Sequence, residues 1–437
     1  MKEAPWSNKK TLNTPSKEER LSLEILEFEK YISPTPRELD SRKDTQREME
    51  RFVERELGLK AVAFGSHCTE LCLPGSDIDV DIRSPSEGQE ISKQTLHQLR
   101  RCLTRSRKCG YHEITFVPRA KVPVLTIDSP RYFMSIDFTL NNPSPSSDRT
   151  ILWIQQYPEL RPMYLVLKHA LLALQHPRPN FTPMSSKNNG MASYTLVCLI
   201  VNFLEVEAKR HGCDKSSATY YSDLLIEFLG FYSTFDFQRK GIRFYDTNPY
   251  FSKGGTNSIM IQDPDVPDSN VGRSTSMIAE LQECFAFLQT SIIERKVDGP
   301  QNSILERIIP VDQQYPLTGG QRLEGRDYHI QPLYMVHSDS WVTTLREKAI
   351  RRADRRDKRD QRRQARQPDQ PLDDIDDVDD GGDLGYGNKK WSGKKRRWQD
   401  DDFTTTATTT SSHRANGSKN SNKKHRPSSS TKRDTSH

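Results

Sequence analysis

The stretch from Ala61 to Asp81 constrains the chain more than any other. Ala61-Val62-Ala63-Phe64 reads as a strand, Gly65-Ser66 as the turn that ends it, and Gly75-Ser76-Asp77-Ile78-Asp79-Val80-Asp81 as the lead into a second strand. Side chains two apart on a strand point the same way, so Asp77 and Asp79 share a face. A third carboxylate from a neighbouring strand would complete an oxygen cage for a hard cation, and Asp137 in Met134-Ser135-Ile136-Asp137-Phe138 is the candidate. Mg2+, or Mn2+ in its place, accepts a few carboxylates together with phosphate oxygens, and a pair of such ions can clamp the attacking and leaving oxygens of an in-line phosphoryl transfer. A strand ending in Gly-Ser lets backbone amides and a hydroxyl approach phosphates closely, which is the task assigned to Gly65 and Ser66. Asp-x-Asp alone is common on surface strands; its specificity here comes from the Gly-Ser turn before it and the Ile-Asp-Phe strand after it. Asp81 continues the same alternation, and Asp128 in Thr126-Ile127-Asp128-Ser129 rivals Asp137 for the third place.

Around this stretch the pattern predicts an α+β chain. Residues 1–20 lack periodicity and are expected to be disordered; helical spacing begins at Leu21 and, after Ser33-Pro34-Thr35-Pro36, resumes as a long amphipathic helix from Arg37 to Leu57. Strand-type runs follow at 60–64, 78–82, 111–117, 122–127 and 132–140, with one helix, 92–106, among them. A small mixed sheet with helices, over residues 38–142, is the expected catalytic domain. Helical segments at 151–157, 163–174, 192–208, 221–232, 276–293 and 341–350 then predict a mainly helical domain over 143–350, joined by 21–37. Beyond residue 350 runs of Arg, an acidic block, a glycine-rich spacer and a Ser/Thr tract predict a disordered charged tail, 351–437.

Charge separates along the same line. The net +6 of the chain divides into −1 for residues 1–350 and +7 for the tail, so the body is no globally cationic nucleic-acid binder. No apolar run reaches roughly 18 residues and the first residues lack a signal-peptide stretch, so a soluble intracellular protein without a membrane segment is expected. The seven cysteines form no C-x-x-C pair and read as reduced thiols, Cys68 and Cys72 beside His67 as small buried side chains rather than metal ligands.

Three later motifs carry two readings each. Lys168 interrupts the apolar helix Tyr164–Leu171 and either snorkels or binds phosphate. In Gly190-Met191-Ala192-Ser193-Tyr194, Ser193 caps the next helix or reaches a phosphate, and Tyr194 fills the core or stacks on a base. The Pro/Asp-rich segment 259–275 reads as a turn-rich loop that caps a helix at Ser274 or Thr275.

Together these motifs resemble the DNA polymerase beta nucleotidyltransferase superfamily, whose palm carries Gly-Ser on a turn and three metal-binding aspartates. Within it the chain resembles the noncanonical poly(A) polymerases of the TRAMP type, active in nuclear RNA surveillance, over about residues 21–293. The resemblance favours Asp137 over Asp128 and implies triphosphate contacts for Lys168 and Ser193 and base stacking for Tyr194. It makes 259–275 a nucleotide recognition loop of pattern D-P-x-x-P-x-N-D-V-G-R-x-S. Ser269 and Asn270 stand where the family has Asn then Asp, which puts base selectivity in question, while Arg273 matches. The ribose-contacting Asn-Thr pair of one family variant falls near Asp148 and Arg149, with Asn141 and Asn142 as substitutes; Leu172 replaces a second lysine of the poly(U) branch. The implied activity is template-independent addition of adenylates from ATP to RNA 3′ ends, with Mg2+ or Mn2+. The alternatives are a terminal uridylyltransferase or relaxed-specificity enzyme and an inactive RNA-binding scaffold. A zinc-knuckle RNA-binding protein and an RNA helicase in a TRAMP-like complex are the implied partners. The basic clusters 394–397 and 423–426, with the resemblance, imply the nucleus or nucleolus.

Overall fold

The computed structural model describes residues 4–335 except 74–75, 87, 107–113, 119–121, 130–133, 143–144, 256, 295–302, 313–328 and 331–332. Helix boundaries follow the capping chemistry. Helix α1 (Lys9–Asn13) starts at Asn8 and α2 (Lys17–Ile32) at Ser16, whose hydroxyl accepts from the Glu19 amide. Helix α3 (Pro36–Leu57) has a full capping box between Thr35 and Glu38, Pro at its first position, and a left-handed Gly58 at its end, φ +65°.

Five strands form the main sheet: β1 (Lys60–Phe64), β2 (Ile78–Arg83), β3 (Ile114–Val117), β4 (Val124–Ser129) and β5 (Met134–Leu140), in the order β1-β2-β5-β4-β3. Only β2 and β5 run parallel, with Asp79 in register with Asp137. Alternation then sorts the sheet into two faces. Ile78, Val80, Ile82, Leu125, Ile127, Ile136 and Phe138 are buried against Met49, Phe52 and Val53 of α3 and Leu96, Leu99 and Leu103 of α4 (Gln94–Arg105). The opposite face carries Asp79, Asp81, Thr126, Asp128, Ser135 and Asp137.

The second core is helical, built from α2, α5 (Pro145–Gln156), α6 (Leu160–Ala173), α7 (Ser193–Asn202), α8 (Ala208–Arg210), α9 (Tyr220–Thr234) and α10 (Ile278–Glu294). A π-helical segment, Phe203–Glu207, joins α7 to α8, and Lys240–Ile242 pairs with Tyr250–Ser252. The expected α+β architecture is therefore present. The expectation of disorder over residues 1–20 is corrected for residues 4–20: Ala4 and Trp6 are buried, and the Trp6 indole donates to Ser303 at 3.1 Å. Its cause is one large aromatic, which contributes burial out of proportion to the polar residues around it. The tail 351–437 and the 341–350 segment lie outside the described residues.

Candidate active site

The acidic face of the sheet meets the end of β1 at Gly65. Gly65 has φ +71°, and a Cβ there would lie 2.2 Å from Asp79 Oδ2, so the turn excludes every side chain. Its amide donates to Ser147 Oγ at 2.8 Å, which ties the turn to the start of α5. Burial pushes the Asp79 carboxyl up to about 7, helped by the charges of Asp137 and Asp77; Asp77 is raised for the same reasons. Asp137 Oδ1 accepts from Thr126 Oγ1 at 2.7 Å. Lys168 draws the Asp77 and Asp79 values down, which places its charge on the same side, and its Nζ sits 5.3 Å above the Tyr164 ring.

The rival carboxylates are accounted for. Asp81 is fully buried, bonded to Arg83 Nε at 2.6 Å and the Asn142 amide at 2.9 Å. Asp128 pairs with Ser135 Oγ and stands opposite Ser135 rather than beside Asp79. Among the described residues no three acidic, imidazole or thiol groups close on one point as a complete metal cage. The donor set still fits a hard cation. Three carboxylates crowd together at a cost in mutual repulsion that a divalent ion relieves, and Mg2+ takes only one or two carboxylates with phosphates and water filling the rest. His67 is engaged elsewhere, between Arg42 Nε at 3.3 Å and Gln46 Oε1 at 2.8 Å.

A cleft of about 90 Å3 opens beside this face, with Gly65, Ser66, Ser147, Thr150, Ser193 and Tyr194 among its walls. Ser193 is exposed and makes no cap bond, Ala192 being the N-cap of α7, so its hydroxyl points to the cleft reading rather than the cap reading. Tyr194 is half-buried, with Trp153 stacked on it at 6.2 Å and 22°. Both readings hold for it, since the ring packs on the core and borders the cleft.

The 259–275 loop is held from two sides. Thr195 Oγ1 donates to the Val271 carbonyl, and Ser274 and Thr275, expected as helix caps, instead donate to the Gly190 carbonyl. Asn270 does not project toward a ligand: its Oδ1 accepts from the Ile261 and Gly272 amides and its Nδ2 donates to the Ile259 carbonyl. Ser269 is half-buried and Arg273 exposed, and neither lines the cleft. Asn141 and Asn142 are also engaged, Asn141 with the backbone of Ile91 and Asn142 with Asp81.

The sequence patterns single out neither Arg42 nor Ser147, and name Arg149 only as standing near the place of a ribose-contacting pair. Arg42 is 1% exposed, and its guanidinium donates to the Ser76 and Asp77 carbonyls at 2.6 and 2.8 Å besides reaching His67. The stripe Met49, Phe52 and Val53, continued back along α3, passes through Thr45 and Arg42, both buried; that was the available signal.

Comparison with known proteins agrees with this geometry. Residues 21–152 match the family described as poly(A) RNA polymerase, mitochondrial-like, central palm domain. The chain is 27% identical over 321 residues to poly(A) RNA polymerase cid14 of Schizosaccharomyces pombe, covering 66% of this chain and 45% of that protein. It is 27% identical to poly(A) RNA polymerase protein 2 of Saccharomyces cerevisiae, covering 61% and 46%. The chain thus spans less than half the length of these curated relatives. The structure of the polymerase core of TRAMP, an RNA surveillance complex, superposes with a TM-score of 0.60 at 24% identity, covering 70% of this chain and 99% of that one. A structure of the Cid1 poly(U) polymerase with Mg 3′-dATP gives 0.54 at 20% identity, covering 65% and 98%. The chain is thus similar to fungal poly(A) RNA polymerases, matches the mitochondrial-like poly(A) RNA polymerase palm domain over residues 21–152, and shares the fold of the TRAMP polymerase core.

Proposed function

We propose that the protein adds adenylates from ATP to RNA 3′ ends without a template. The observation that carries this reading is the adjacency of Asp79, its register partner Asp137 and the Gly65 turn, beside a cleft bordered by Ser193 and Tyr194. Asp77, Asp79 and Asp137 would hold Mg2+ or Mn2+, which when bound supplies Lewis acidity to the phosphates and to the attacking hydroxyl. Asp137, oriented by the bond from Thr126 to its Oδ1, is the carboxylate that takes the proton of the RNA 3′-hydroxyl. The Gly65-Ser66 turn receives the phosphates with the Ser66 hydroxyl, since the Gly65 amide is bonded to Ser147. Lys168 and Ser193 face the charge that develops on the leaving pyrophosphate. Tyr194, backed by Trp153, stacks on adenine.

RNA 3′ ends as substrate, a zinc-knuckle RNA-binding protein and an RNA helicase as partners in a TRAMP-like complex, and a nuclear or nucleolar location belong to the same proposal. The likeness to the polymerase core of an RNA surveillance complex supports RNA as substrate and a complex of this kind, the basic clusters of the tail support the nuclear location, and the two named partners follow from the resemblance of the motifs alone. A uridylyltransferase or relaxed enzyme is the second reading, favoured by one observation: the Asn270 carboxamide spends its oxygen and one N–H within its own loop, which leaves at most a single N–H for a base. An inactive scaffold is disfavoured by the presence of all three carboxylates. Primer extension with each of the four ribonucleotides tests the reading. ATP is expected to be used best, and the double variant Asp77→Ala, Asp79→Ala to extend nothing; extension by that variant would sink the assignment.

A further inference from the structure

With Asn270 bonded inside its loop, base selectivity rests on where the loop as a whole is held. Its tip is a closed turn. Asp263 Oδ1 accepts from the Asp265 and Val266 amides, the Asp263 amide donates to the Ser269 carbonyl, and the Ser269 amide donates to Val266. Asp265 and Ser269 therefore belong to one hydrogen-bonded turn. One side chain outside the loop grips this tip. Arg149, on α5, meets the Asp265 carboxylate through both Nε, at 3.0 Å, and Nη2. The Arg149 Nη1 donates to Tyr245 Oη at 2.9 Å, and its guanidinium lies over the Tyr245 ring at 5.4 Å. The Tyr245 hydroxyl also accepts from Nε1 of Trp153, the fully buried ring stacked on Tyr194.

We infer that Arg149 is a positioning residue for base selectivity: by pinning Asp265 to α5 and Tyr245, it sets the distance between the recognition loop and the stacking face of Tyr194. The inference rests on the nucleotidyltransferase reading above. Three features separate this contact from an ordinary surface ion pair, which holds little. It is bidentate, so it fixes orientation as well as distance. It shares the Tyr245 hydroxyl with a core tryptophan, so it is anchored rather than floating. Tyr245 is also held at φ +59°, an uncommon backbone state for an aromatic residue, and the residue is 60% exposed, so burial does not account for the conformation. Helix α5 meanwhile contributes Ser147 and Thr150 to the cleft, so Arg149 couples the loop to the wall that also carries the Gly65 contact.

The test is the four-nucleotide panel on the full chain, with kcat/KM for wild type, Arg149→Ala, Arg149→Lys, Asp265→Asn and the charge exchange Arg149→Asp with Asp265→Arg. The ratio of the preferred to the disfavoured nucleotide is expected to fall by about tenfold in Arg149→Ala and Asp265→Asn, the scale of a lost positional contact in a binding pocket. Lysine keeps the charge but not the fork, so Arg149→Lys should fall partway, and the charge exchange should recover part of the ratio. A purely structural role lowers kcat/KM for all four nucleotides alike and leaves the ratio unmoved, which overturns the inference, as does a charge exchange no better than the single variants. A wild type that incorporates no nucleotide overturns the polymerase reading and the pin with it. An active wild type with an unchanged ratio in Arg149→Ala overturns the pin alone.

Discussion

The Asp79 carboxylate lies so near Gly65 that no methyl group fits between them, and the glycine also holds φ +71°, where alanine is strained. Gly65→Ala is therefore expected to displace Asp79 or open the turn. Misplacement on that scale costs about 100-fold in rate, and the backbone strain costs roughly 1–3 kcal/mol. Primer-extension kcat and urea unfolding read the two effects separately, and an unchanged kcat would show that the close approach is not used. The raised value of Asp79 has a second consequence. An unfolded aspartate ionises near pH ~4, whereas the native one holds its proton to about 7. Between those values the native chain binds more protons, so without divalent cation its stability falls as pH rises, and the loss is complete above 7. Asp79→Asn should remove this dependence. Its Tm advantage over wild type, in chelator, should widen from about pH 5 to about pH 7.5, and Mg2+ should narrow it; a pH-independent gap would contradict burial as the cause. The alternation Asp77, Asp79, Asp81 was legible in the sequence, but the separate fate of Asp81 was not. It depends on Arg83 and on the Asn142 amide, a contact across 61 positions.

At the scale of elements, α3 supports the site from behind the sheet. Its buried Arg42 joins the carbonyls that precede β2 to His67 in the turn after β1, so one guanidinium holds both loops that carry the chemistry. Its bonds toward β2 end on the Ser76 and Asp77 carbonyls, so the effect of losing it reaches the Asp77 carboxylate through the chain. Arg42→Gln should weaken activity about 10–100-fold, as loss of supporting contacts around metal ligands does, with a raised Mg2+ requirement. Titration of extension rate against Mg2+ checks this, and an unshifted midpoint with reduced rate would assign Arg42 to folding alone. Helix α3 itself was legible, from Pro36 to Gly58, because its caps are local. The start of α5 was not. The apolar pattern places this helix at 151–157, yet α5 begins at Pro145, where proline suits the first turn, and Ser147 is fixed by its bond to Gly65, 82 positions away. The sequence also gave no sign of the Arg149 contact, which spans 116 positions and involves an arginine and an aspartate of ordinary helix and loop types.

At the scale of the whole molecule, the amino-terminal segment contributes to the helical core and the carboxy-terminal tail contributes charge. The amino-terminal segment has few apolar residues, but Trp6 packs edge-on against Phe28 at 5.0 Å and shares Ser303 with the buried Glu24. Trp6→Ala should cost about 3–5 kcal/mol, the range for a buried aromatic truncated to alanine; denaturant unfolding checks it. The carboxy-terminal tail holds +7 while residues 1–350 hold −1. A near-neutral body has a weak net field for a polyanion, so on the proposed function RNA affinity is expected to come from the tail, from a partner, or from both. Phosphate contacts release counterions, and each neutralised phosphate contributes about −0.7 to the slope of log K against log salt for a single strand. Deleting residues 351–437 should therefore raise the apparent KM for RNA and flatten its salt dependence. The KM for ATP should stay constant, because no residue placed at the cleft or the recognition loop lies in the tail. Primer-extension kinetics at several salt concentrations, with and without the tail, separate the two sources. A salt slope unchanged by the deletion would assign RNA capture to the folded body, in spite of its charge.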